Sequence, residues 1–102
     1  MDDYVKVCLT SVLEEGKMKT FNIGEQSILL ARHQGKVYAL DGECSHDGGN
    51  LGEGELVNGQ IECPRHGARF DLATGSVLRM PAVIGLKKFE AKEEGGHIYV
   101  AI

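Results

Sequence analysis

Apolar and polar residues alternate over short runs along most of this chain, and glycines punctuate the runs. Residues 4–9 place Tyr4, Lys6 and Cys8 on one face and Val5, Val7 and Leu9 on the other, the two-residue period of a strand. Residues 11–16 read as a charged turn. Residues 18–23 and 26–32 form two further strands divided by Gly24. The pair Gln34-Gly35 marks a tight hairpin turn, with residues 36–40 returning from it. Short strands follow at 60–63 and 68–71, the second ending at the Ala73-Thr74-Gly75 turn. Residues 86–92 and 97–102 close the pattern, joined by a hairpin turn at 93–96. No segment keeps the three-to-four-residue apolar period over helical length, so the expected class is all-β.

One stretch breaks the pattern. Residues 41–62 hold six acids and no Lys or Arg, are rich in glycine and have few apolar residues. They read as a loop-rich insert, unlike ordinary core. No repeat, linker or low-complexity tail interrupts the rest.

Composition narrows the classes of function. The 102 residues suit one small domain, and 42% hydrophobic with 25% charged residues describe a globular chain. Fourteen glycines agree with many turns and little helix. The net charge of -4 and the lack of Trp argue against a nucleic-acid surface, which needs clustered cations and stacking rings. Met1-Asp2-Asp3 does not resemble a secretory leader, and no apolar run approaches spanning length. Three cysteines cannot all pair internally, so a disulfide scaffold is not expected. These features together lead us to expect a cytoplasmic protein with neither nucleic-acid nor membrane partners. Nucleophile-elbow, Walker and dinucleotide fingerprints are missing, which leaves no catalytic motif to follow.

The chemistry is concentrated in Cys44-Ser45-His46 and Cys63-Pro64-Arg65-His66, with sixteen residues between His46 and Cys63. Each box offers one soft thiolate and one imidazole. Glycines at 48, 49 and 67 let the flanking chain turn back, so that backbone N–H groups can face sulfur. Two Cys and two His also suit tetrahedral zinc. Against a zinc finger stand the single residue between the first pair and the absence of a helical pattern under His66. A mononuclear iron enzyme would want a carboxylate and an open coordination position.

These boxes resemble the two cluster-binding boxes of Rieske iron–sulfur proteins. The resemblance is strongest over the middle third, and the flanking strand pattern is compatible with it. It implies a small antiparallel β-sandwich of one domain over residues 1–102, with the cluster-binding part at about 42–82. It also implies one [2Fe-2S] cluster, with Cys44 and Cys63 on one iron and His46 and His66 on the other.

Departures from the respiratory branch of that family place this chain elsewhere in it. That branch has a further cysteine in each box, where this sequence has Gly49 and Arg65. It also has a serine and a tyrosine where Ala68 and Phe70 stand, and neither of these can donate a side-chain hydrogen bond. Fewer donors stabilise the reduced cluster less, so the resemblance is to the low-potential, ferredoxin-like branch. Its soluble members carry electrons to terminal oxygenases acting on aromatic rings. The expectation is therefore a carrier, not an enzyme, with a flavin-containing ferredoxin reductase and a terminal oxygenase as partners. The alternative is a small accessory subunit of an assimilatory nitrite reductase, which shares the fold.

The remaining residues have plainer readings. Cys8 is a small buried hydrophobe on the first strand. His33 is a solvated turn residue, and His97 is structural. Pro81 shapes a loop near the cluster end. Arg65 and Arg69 could meet a partner surface, and the acidic run is either a solvated face or a docking face.

Overall fold

The computed structural model describes residues 4–43, 50–64, 67–79 and 85–101. Over these residues the chain forms β1 (Tyr4–Leu9), β2 (Met18–Ile23), β3 (Gln26–His33) and β4 (Lys36–Asp41). These are followed by β5 (Glu55–Val57), β6 (Gln60–Glu62), β7 (Arg69–Asp71) and β8 (Val77–Arg79), and then by β9 (Lys88–Glu94) and β10 (His97–Ala101). The described helices are two 3-10 turns, Thr10–Val12 and Leu51–Glu53. Six strands form one sheet in the order β1-β10-β9-β4-β3-β2, and four form a second in the order β5-β6-β7-β8. All pairings are antiparallel. The expected all-β sandwich is the observed fold.

β3 is the common wall of two cores, which explains its continuous apolar run. Leu29 and Ala31 pack with Leu40, Leu51, Ile61, Phe70 and Leu72 between the two sheets. Ile28 and Leu30 point the other way and pack with Val37, Ala39, Phe89, Ile98 and Val100 inside the larger sheet. A strand buried on both faces needs apolar residues at every position, not at alternate ones. Its hairpin with β4 turns on Gln34 and Gly35, whose φ angles of 52° and 77° are those of the expected tight turn.

Four expectations are corrected. The strict alternation of β1 fails because the register shifts between Lys6 and Cys8, a bulge that lets the sequence neighbours Val7 and Cys8 both pack on the core. Residues 11–16 are not only a charged turn, since Leu13 among them is 2% exposed. The insert at 41–62 does contribute core, because Leu51 and Ile61 are fully buried. β5 and β8 were not expected. Three residues are too few to display a period, and β5 lies within an acidic, glycine-rich context.

Candidate metal centre

The second box opens at the end of β6. Cys63 is 2% exposed and packs in the core between the sheets with Leu51, Ile61, Ala68 and Phe70. Its N–H donates to the Ala68 carbonyl at 2.8 Å, and Gly67 N–H donates to the Cys63 carbonyl at 3.1 Å. Cys63 and Ala68 are thus paired across the base of the second box. Gly67 has a φ of 75°, where a side chain would strain the backbone. The turn continues the ladder of β6 with β7, in which Glu62 faces Arg69. Their side chains form an ion pair at 2.9 Å. Arg69 is therefore engaged within its own sheet, not simply held toward a partner.

The first box is closed at its base. Glu43 and Asn50 form an antiparallel bridge on either side of residues 44–49. Leu51 N–H donates to the Gly42 carbonyl at 3.0 Å, and Gly42 N–H donates to Ser27 of β3 at 3.0 Å. The Asn50 side-chain oxygen accepts from Gly52 N–H at 2.9 Å and from the Thr20 hydroxyl at 2.7 Å. Asn is a natural cap for a short helical turn, and here it caps Leu51–Glu53.

The two bases meet at Gly54. A Cβ there would run into the Glu62 backbone oxygen and lie 3.1 Å from Pro64 Cδ. Only glycine lets the chain leaving the first box lie so close to the chain entering the second. Cys44, His46, Arg65, His66 and Pro81 lie outside the described residues, as does Gly49. Of the four candidate ligands, Cys63 is the one the structure describes. The residues fit an iron–sulfur centre on two observations. The bases of the two boxes are adjacent, and Cys63 is screened from bulk water on the core side, as a dry cluster site requires.

Beside Cys63 an open cleft is lined by Glu53, Gly54, Glu55, Glu62, Pro64 and Gly67. The turn between β7 and β8 lies close by in sequence. There Gly75, at φ 80°, packs directly on the Leu86 carbonyl and accepts Leu86 N–H at 2.7 Å. This contact ties Leu86 to the turn that follows β7 of the smaller sheet.

Residues outside the boxes take structural places. Cys8 is half-buried, and burial pushes its thiol up. Among the described residues Cys8 and Cys63 are free cysteines. His33 is not a solvated turn residue. It is half-buried, with Nε2 3.2 Å from where a Cβ on Gly59 would sit. It links the larger sheet to the β5–β6 turn. His97 meets the ring of Tyr99 edge-on, in keeping with a structural role. The sequence reading missed Thr20, Asn50 and Gly54. An Asn two residues before a glycine, at the end of the first box, was the available signal for the cap.

Two antiparallel sheets, with two loop bases side by side and a buried cysteine at one of them, define a small β-sandwich with its candidate ligands at one end. The chain belongs to the Rieske [2Fe-2S] domain family, whose model matches residues 3–90. The cofactor of such a domain is a single [2Fe-2S] cluster. The chain is 36% identical over 99 residues to the ferredoxin component of the alkene monooxygenase system of Xanthobacter autotrophicus, covering 96% of this chain and 80% of that protein. It is 37% identical over 94 residues to Apoptosis-inducing factor 3 of Homo sapiens, covering 92% of this chain but only 16% of that much longer protein. Among solved structures, a chain in the complex of reduced oxygenase and oxidized ferredoxin in carbazole 1,9a-dioxygenase is 33% identical, with a TM-score of 0.90 and coverage of 96% and 92%. A Mycobacterium tuberculosis chain assigned as the small subunit of an NADH-dependent nitrite reductase has a TM-score of 0.87 at 21% identity, with coverage of 100% and 96%, a likeness of fold alone. No described helix is long and apolar enough to cross a membrane.

Proposed function

We propose that this chain is a one-electron carrier that takes electrons from a flavin-containing reductase and passes them to a terminal oxygenase. The observation that carries the reading is its near full-length similarity to a ferredoxin component of an oxygenase system. It acts as a single domain over residues 1–102, in the cytoplasm, without nucleic-acid or membrane partners, and transforms no substrate itself. Cys44 and Cys63 hold one iron as thiolates, and His46 and His66 hold the other through neutral imidazoles. When bound, the cluster supplies a one-electron couple at a potential above that of an all-cysteine centre. The chain's own part is to present both boxes from adjacent bases and to keep water from the inner side of Cys63. The nitrite reductase alternative has only the fold in its favour.

Purified protein tests this directly. It should hold two irons and two acid-labile sulfides per chain, as a single [2Fe-2S] centre requires. Cys44→Ser and His66→Ala should lose the cluster, whereas Cys8→Ser should keep it. One zinc with no labile sulfide would overturn the assignment.

A further inference from the structure

Thr20 lies on β2, the edge strand of the larger sheet, yet its side chain touches both stems of the first box. On one side, a Cβ on Gly42 would lie 2.8 Å from Thr20 Cγ2 and would also collide with Ser27 Oγ. On the other, a Cβ on Gly52 would collide with Thr20 Oγ1, which itself donates to Asn50 Oδ1 at 2.7 Å. That acceptor atom must be the amide oxygen, because Gly52 N–H donates to it as well. The methyl therefore packs against the chain entering residues 44–49, and the hydroxyl binds the chain leaving them. A β-branched side chain is stiff about χ1, so placing one branch places the other. The Glu43–Asn50 bridge then joins the two stems directly.

We propose that Thr20 and Asn50 are a positioning pair, holding the two stems of the first box at a set separation and so setting where Cys44 and His46 are presented. The role rests on the reading of those two residues as ligands. Thr20 and Asn50 act as positioning residues, not as ligands. Their effect passes through the backbone of residues 42 and 50–52, which is anchored on β2 and β3.

The pair is tested by cluster release to an iron chelator, followed as loss of visible absorption, alongside the electron paramagnetic resonance spectrum of the reduced protein. Thr20→Val keeps the shape and removes the hydroxyl. It should speed release about three- to tenfold, the factor one exposed hydrogen bond is worth, and broaden the spectrum. Thr20→Ser keeps the hydroxyl and should restore most of the slow release. Asn50→Ala, at an exposed position, should match Thr20→Val, and the double variant should be no faster than either alone. Arg32→Met serves as a control for general loss of stability, since Arg32 lies at the opposite end of β3 from Ser27. It should lower the denaturation midpoint and leave release and spectrum unchanged.

Release at the wild-type rate in Thr20→Val, with an unchanged spectrum, would overturn the positioning role. So would equal acceleration by Arg32→Met, which would make release a report on stability alone. A full complement of iron and sulfide in Cys44→Ser would instead overturn the ligand reading, and the positioning role with it.

Discussion

Ala68 and Phe70 are both fully buried, in the same core cluster as Cys63. Family resemblance makes them the positions where high-potential relatives carry hydroxyl donors. A hydroxyl at either site would have no water to bond, and an unsatisfied one costs about 1–3 kcal/mol. By the family resemblance its partner would be sulfur, and a donor to sulfur favours the electron-rich reduced state. Ala68→Ser and Phe70→Tyr should each raise the reduction potential, by tens of millivolts as an order of magnitude, about 59 mV being a tenfold change for one electron. The double variant should go further. Voltammetry at pH 7, paired with a denaturation midpoint, measures both consequences. Variants that keep the cluster and their stability yet leave the potential unmoved would remove these positions from tuning it.

Between elements, a forked ion pair lies away from the boxes. Arg32 on β3 donates through both terminal nitrogens to Glu93 on β9, at 3.0 and 2.8 Å, and through Nε to the Leu13 carbonyl at 2.7 Å. This fork holds the chain after β1 and the end of β9 against the β3–β4 hairpin. Arg32 and Glu93 side chains are 14% and 30% exposed, so screening is partial. The hydrogen-bonded guanidinium holds the Glu93 carboxyl below its ordinary value of 4.5. A depressed carboxylate contributes stability that is fully present above 4.5 and is lost as pH falls through the lower folded value. Glu93→Gln should therefore destabilise the protein by about 0.5–1 kcal/mol at pH 7, the upper part of the range for solvent-screened ion pairs. The gap to wild type should narrow as pH drops below 4.5. Urea unfolding of both proteins across that range checks this, and a gap constant with pH would show that packing, not charge, carries the link.

At the scale of the molecule, acids among the described residues gather beside Cys63. Glu53, Glu55 and Glu62 line the cleft beside Cys63, with Glu62 already paired to Arg69. Lys36 and Lys88 line a separate groove where β4 and β9 diverge, and Lys92 lies over the rings of Tyr4 and Tyr99. A carrier with its acids beside the metal centre would be steered toward a basic partner surface with that end leading. Glu53 and Glu55 are both exposed, so neutralising them should leave the fold intact. The double variant Glu53→Gln with Glu55→Gln should be reduced more slowly by a reductase at low salt. The difference should vanish near 1 M salt, where the screening length is about 3 Å. Stopped-flow rates that match wild type at low salt would take these residues off the docking face.

How much of this was legible beforehand depends on the distance over which each feature is encoded. The short apolar runs of β2 and β4, the Gln34-Gly35 turn and the Cys-x-His and Cys-x-x-His spacing are local. Backbone preference and side-chain chemistry within a few residues decide them, and the sequence by itself determined the strand class, the tight turn and the candidate donors. The family resemblance carried the sandwich and the cluster type. Tertiary structure alone decided what depends on residues far apart in the chain. Ala39 faces Phe89 across the sheet seam, and Arg32 reaches Glu93 sixty-one positions on. Leu51 is core although its neighbours are glycines and acids, because the two sheets close over it. Thr20 looked like one more strand residue until packing set its methyl against Gly42 and its hydroxyl on Asn50. Such contacts follow from how whole sheets stack, a property that no local period of polar and apolar residues encodes.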